Sequence, residues 1–150
     1  MNFKDFITEN TEFFDSVIAD IEVCDRRLIL SIFEDWYENT YSNTRITIES
    51  NEEDPFIFLL KKEYAINHKM RARSREISFK RVKKMIKAGK SFVVADVKLF
   101  LSGEREIIDF MIYPCKNGWT RYYLSLELFG TSNILIEKND GNEQKVLTRE

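Results

Sequence analysis

Residues 91–138 alternate between apolar and polar side chains, and this pattern limits the chain's choices more than any other. The runs 91–101, 104–113, 119–129 and 133–138 are each rich in β-branched and aromatic residues. Ser102-Gly103, Lys116-Asn117-Gly118 and Gly130-Thr131-Ser132 separate them, and Asn139-Asp140-Gly141 follows. Asn-Gly is a strong hairpin signal, because a type I′ turn needs positive φ at both central positions. The pattern predicts an antiparallel meander, with a weaker last strand over 144–147. One face would carry Val93, Ala95, Val97, Leu99, Leu101, Ile108, Phe110, Ile112, Tyr122, Leu124, Leu126, Leu128, Ile134 and Ile136. The other would carry Asp96, Lys98, Arg105, Asp109, Trp119, Arg121, Tyr123, Ser125 and Glu127.

An apolar sheet face must be covered, and the rest of the chain reads mainly as helix. Phe14, Val17, Ile18 and Ile21 recur at helical spacing. Asp25 is placed to cap a second helix, with Leu28, Ile29, Ile32, Phe33, Trp36 and Tyr37 as its stripe. Residues 1–40 are therefore expected to form an acidic helical pair. Residues 45–49 alternate as a strand, and 56–60 fit a helix or a strand equally well. In the segment 61–90 the spacing predicts a basic helix over 65–75. A break at Glu76-Ile77 follows, then a second helix capped by Ser78 and ended by Gly89. The expected fold class is α+β in one domain, 1–150. The N-terminal helical pair and the basic helices pack on one face of a C-terminal antiparallel meander of four to five strands (91–148).

Charge is strongly segregated. Residues 61–90 contain twelve Lys or Arg and two acids, a formal +10, whereas 1–54 carry −10 and 91–150 carry −2. Blocks of one sign are the electrostatic footprint of a polyanion or of an acidic partner. No stretch approaches the roughly 18 apolar residues of a membrane span, and the acidic N-terminus is unlike a signal peptide. Cys24 and Cys115 read as isolated reduced thiols. The expectation is a cytoplasmic protein without membrane association, and the Lys-, Asn-, Ile- and Glu-rich composition suits an AT-rich bacterial or phage genome.

There is no phosphate-cradling Gly-rich loop, no paired-Cys zinc spacing and no second histidine beside His68. No cofactor is called for. Asp96, Asp109 and Glu127 with Lys98 form the one carboxylate set that neighbouring strands would gather for a hard cation. Cross-strand ion pairs such as Asp109 with Arg121 are the plainer account.

The order of a basic helix, Arg75-Glu76-Ile77-Ser78, a short helix ending in Gly89 and then antiparallel strands resembles small endoribonucleases of the RelE/RegB type. The resemblance covers about residues 65–138, rests on Asn67 to Ser78 with Val82, Ile86 and Gly89, and matches the family's two arginines at Arg71 and Arg75. The family's histidine falls on Asn67, one place before His68. The resemblance implies metal-independent RNA cleavage, with His68 as base or acid and Arg71 and Arg75 stabilising the phosphate. Lys69, Arg73, Lys80, Arg81, Lys84, Arg121 and Tyr123 would hold the RNA. The sequence thus supports an RNA-cleaving or RNA-binding protein acting through 61–90. The alternative is a non-enzymatic bacterial or phage interaction protein (an inhibitor, immunity or counter-defence factor) that binds a protein partner. Oligomeric state is not legible.

Overall fold

A computed structural model of the chain describes residues 5, 6, 9, 13, 16–32, 44–99, 105–113, 120–130, 132–140 and 143–148. In place of the expected α+β arrangement, the described residues form mainly one antiparallel sheet of ten strands, with a nine-residue helix between its fifth and sixth strands. The strands are β1 (Val17–Cys24), β2 (Arg27–Ile32), β3 (Thr44–Ser50), β4 (Phe56–Ile66) and β5 (Lys69–Ile77). The helix α1 (Phe79–Lys87) follows, then β6 (Ser91–Leu99), β7 (Arg105–Tyr113), β8 (Arg121–Phe129), β9 (Ser132–Asp140) and β10 (Glu143–Thr148). Their order across the sheet is β10-β9-β3-β2-β1-β6-β7-β8-β4-β5.

The expected N-terminal helical pair is, over 17–32, a β-hairpin. A bulge between Ile18 and Asp20 explains why the sequence reads as helix. The extra residue shifts the strand's parity, so Ile18 and Ile21 both face the core although they are three apart. In β2 the inward residues are Leu28, Leu30 and Ile32, a period of two. Asp25 does not cap a helix; it occupies the hairpin turn with φ 54°. Phe33, Trp36 and Tyr37 lie outside the described residues.

The C-terminal strands occur where alternation puts them, but their pairing differs from a simple meander. β6, β7 and β8 are consecutive neighbours. β8 then pairs with β4, and β9 leaves to pair with β3. A second bulge, between Val94 and Asp96, brings Phe92, Val94 and Val97 to the core face. It displaces Val93 and Ala95 from the places that strict alternation gives them.

β1 joins β6 through only two residue pairs, Val17 with Val93 and Ile18 with Phe92. The sheet therefore consists of two five-stranded halves meeting at a narrow seam. Buried residues of both halves, among them Leu30, Ile46, Phe92, Phe110 and Leu126, belong to one contiguous core. The apolar faces of the two halves thus share one interior. Burial of each large side chain there stabilises the fold by about 1.5–3 kcal/mol. The halves are tied at one corner, where Ser50 Oγ donates to the Phe129 carbonyl at 2.6 Å and Phe129 N donates to the Pro55 carbonyl at 2.9 Å. Gly130, at φ 81°, makes the turn from β8 to β9 beside Asn51 and Glu52.

The helix begins at Ser78, whose side chain accepts from Arg81 N at 3.2 Å, and Gly89 follows it at φ 88°. Val82 is fully buried, and the rings of Phe79 and Phe58 lie 5.8 Å apart. Lys83 Nζ donates to Asp20 Oδ1 at 2.8 Å and also pairs with Glu22, so α1 is fastened to β1 by charge as well as by packing. Burial disfavours the Lys83 ammonium, but these hydrogen bonds to Asp20 and Glu22 outweigh it and raise the pKa. No helix in the described residues is long and apolar enough to cross a membrane.

Candidate nucleic-acid interface

The segment expected to be a basic helix is instead a strand, a two-residue turn and a strand. β4 and β5 pair continuously from Phe58 with Ile77 to Ile66 with Lys69. Asn67 and His68 form the turn, with φ of 51° and 62°. Two successive positive φ values define the type I′ geometry that suits the right-handed twist of a hairpin. Asn and His are among the non-glycine residues that best tolerate this region. Arg71 and Arg75 are four residues apart, a spacing that fits two strand periods as well as one helical turn. The sequence pattern was therefore ambiguous there.

β4 also pairs with β8, as far as Glu63 with Arg121. Beyond that pair β4 has, among the described residues, only β5 as a ladder neighbour over 64–66, and the two form a ribbon ending at the turn. β5 lies at the end of the strand order, and every residue from Lys69 to Glu76 is exposed.

Register sorts the ribbon's charge by face, because residues directly across a ladder project to the same side. The face continuous with the core carries Lys62, Tyr64 and Ile66 from β4, and Lys69, Arg71, Arg73 and Arg75 from β5. It has five cations and no carboxylate. The reverse face carries Lys61, Glu63, Ala65, Met70, Ala72, Ser74 and Glu76. There Lys61 pairs with Glu63 at 3.4 Å.

None of the five cations forms an ion pair with a described residue. Lys62 Nζ instead lies 5.6 Å from the ring centre of Tyr64 and 5.9 Å from that of Tyr122. Some cations elsewhere are paired: Arg26 meets Glu53 at 3.6 Å, Arg27 meets Glu49 at 3.4 Å, and Arg105 meets Glu127 at 3.5 Å.

His68 lies at the exposed turn and Arg75 near the base of the ribbon. Seven residues of extended chain separate them, about 23 Å. The ribbon therefore does not gather His68, Arg71 and Arg75 into one pocket. Neither the 690 Å³ cleft lined by Cys24, Arg26 and Glu53 nor the 220 Å³ cleft lined by Phe56, Glu76 and Phe79 includes any of the three. Lys69, Arg71, Arg73 and Arg75 are brought together in a row, about 6.7 Å apart. Lys80, Arg81 and Lys84 are exposed on α1. Arg121 and Tyr123 project to the reverse face, where Tyr123 lies under Lys61, its ring centre 5.8 Å from Nζ. Lys62, Tyr64 and Ile66 share the cationic face, and the helical reading passes over them. The period of two from Leu60 to Ile66 is the signal that marks them.

The reverse sheet face does not build a cation site. Asp96 stands across from Asp109 and Asp109 across from Ser125, which donates to it at 2.5 Å. Asp109 does not face Arg121, which lies across from Glu63. No three His, Cys, Asp or Glu residues among those described are arranged to hold a metal ion. The ribonuclease resemblance assumed a basic helix, and the ribbon takes that helix's place. No family model, curated protein or solved structure matches the chain.

Proposed function

We propose that the protein binds nucleic acid, gripping the phosphate backbone with the cationic face of the β4–β5 ribbon. One observation carries this reading: five cations share a face with no carboxylate and no described acidic partner. Uncompensated charge held in a regular row is useful against a polyanion, because each contact releases condensed counterions. The row's spacing of about 6.7 Å approximates two nucleotide rises of roughly 3.4 Å. Lys80, Arg81 and Lys84 on α1 extend the positive field.

The test is fluorescence anisotropy with labelled RNA and DNA of random sequence, at low salt and in EDTA. The wild-type protein is expected to bind, and the triple substitution Arg71→Ala, Arg73→Ala, Arg75→Ala to lose most of the affinity. Equal binding by the triple variant and the wild type would sink the proposal. The same RNA samples, run on a denaturing gel, score the cleavage that the sequence resemblance implies. His68-dependent products would make this protein an endoribonuclease rather than a binder. Retention of a protein partner instead, with no affinity for nucleic acid, would support the interaction-protein reading.

A further inference from the structure

Ile66 is the last inward-register residue of β4 before the turn, and half of its surface is exposed. It sits on the cationic ribbon face, directly across from Lys69 and two places from Tyr64. Large hydrophobic residues are exposed at only three described positions, Ile66, Met70 and Tyr113, and the first two flank the Asn67-His68 turn. Met70 projects to the reverse face, across from Ala65.

We propose that the ribbon binds duplex DNA and that Ile66 wedges into the base stack at the ribbon's end. The proposal rests on the phosphate-gripping reading above and names its ligand. Two strands about 4.8 Å apart, with their side chains, fit a major groove about 12 Å wide. The major groove of A-form RNA is too narrow for such an element. Ribbons also enter the minor groove, and proteins that bend DNA from there combine cations on the backbone with an aliphatic side chain driven between base pairs, kinking the duplex by about 20–90°. The cationic face has this composition, with Lys69 and Arg71 beside Ile66. Single strands are usually held on aromatic platforms. On this face Tyr64 is occupied by Lys62, and the free end is aliphatic. A lipid surface is the weaker fit, because one buried Ile contributes only about 1.5–3 kcal/mol to insertion.

The test uses a duplex labelled with donor and acceptor dyes at its ends and with 2-aminopurine at its pyrimidine–purine steps, which kink most readily. Wild-type protein should raise both energy transfer and 2-aminopurine fluorescence. Ile66→Ala should still bind but lose most of both signals, whereas Met70→Ala, on the other face, should keep them. Binding without either signal, or an Ile66→Ala variant indistinguishable from wild type, overturns the wedge. Affinity confined to RNA, or to phosphatidylserine vesicles, also overturns it. The RNA result leaves the phosphate-gripping reading intact. Failure to bind any nucleic acid removes the reading on which the wedge rests.

Discussion

Arg73 stands directly across the β4–β5 ladder from Lys62, two like charges on one face with no carboxylate beside them. Opposed like charges destabilise a strand pair by several tenths of a kcal/mol. A bound polyanion would relieve that repulsion. Arg73→Thr is therefore expected to stabilise the free protein by roughly 0.2–1 kcal/mol while weakening nucleic-acid binding. Thermal unfolding with and without DNA checks this: Thr at 73 should raise the midpoint of the free protein and shrink the increment that DNA adds. A lower midpoint for the free protein would show that Arg73 packs rather than repels, and an unchanged DNA increment would remove it from the interface.

The salt dependence of binding should count the same cations. Five phosphate contacts on duplex DNA predict a slope of log K against log salt of about −4.5. Each of Arg71→Ala, Arg73→Ala and Arg75→Ala should reduce its magnitude by about 1. Arg121→Ala, on the reverse face, should leave it unchanged. A slope that responds to Arg121 and not to the ribbon arginines would move the interface to the other side of the sheet.

The turn offers a separate test of the ribbon. His68 holds φ 62°, a conformation that costs ordinary L-residues about 1–2 kcal/mol. His68→Gly should slow amide exchange on both sides of the turn. His68→Val should accelerate it, because a β-branched residue is poorly accommodated at positive φ. The opposite order would mean that the turn does not persist in solution. The glycine variant also separates structure from chemistry, since it keeps the ribbon and removes the imidazole.

What the sequence revealed and concealed follows from period and parity. β7 and β8 keep strict alternation, so Ile108, Phe110, Leu124 and Leu126 are identifiable as core from sequence alone. β1 and β6 each contain a bulge, and a bulge converts a period of two into an apparent helical step at Ile18 and Ile21. In β5 the basic residues repeat at two and at four, and spacing alone does not choose between strand and helix. The positive charge of 61–90 is visible in the sequence, but the gathering of five of its twelve cations on one ribbon face depends on the Asn67-His68 turn. The pairing of β9 with β3 is long-range, and no local pattern encodes it.

Glu106 yields a prediction about pH. It lies on the core-facing side of β7, across from Leu128 on one neighbour and Leu99 on the other, and its Oε2 is buried without a hydrogen-bond partner. Burial, and secondarily the nearby charge of Asp5, push its pKa up to about 7. In the unfolded chain a glutamate loses its proton near pH 4.3. Between these values the folded state holds a proton that the unfolded state has released, so stability falls as pH rises from about 4.3 to about 7 and levels off above that. Because the group is partly open to solvent, the penalty at pH 8 is on the order of 1 kcal/mol. Glu106→Gln removes the charge and keeps the shape. It should raise the unfolding midpoint at pH 8, have little effect at pH 4, and flatten the profile between them. Equal stabilisation at both pH values would trace the gain to packing, and a loss at pH 8 would mean that the carboxylate is ionised and paired in the folded protein.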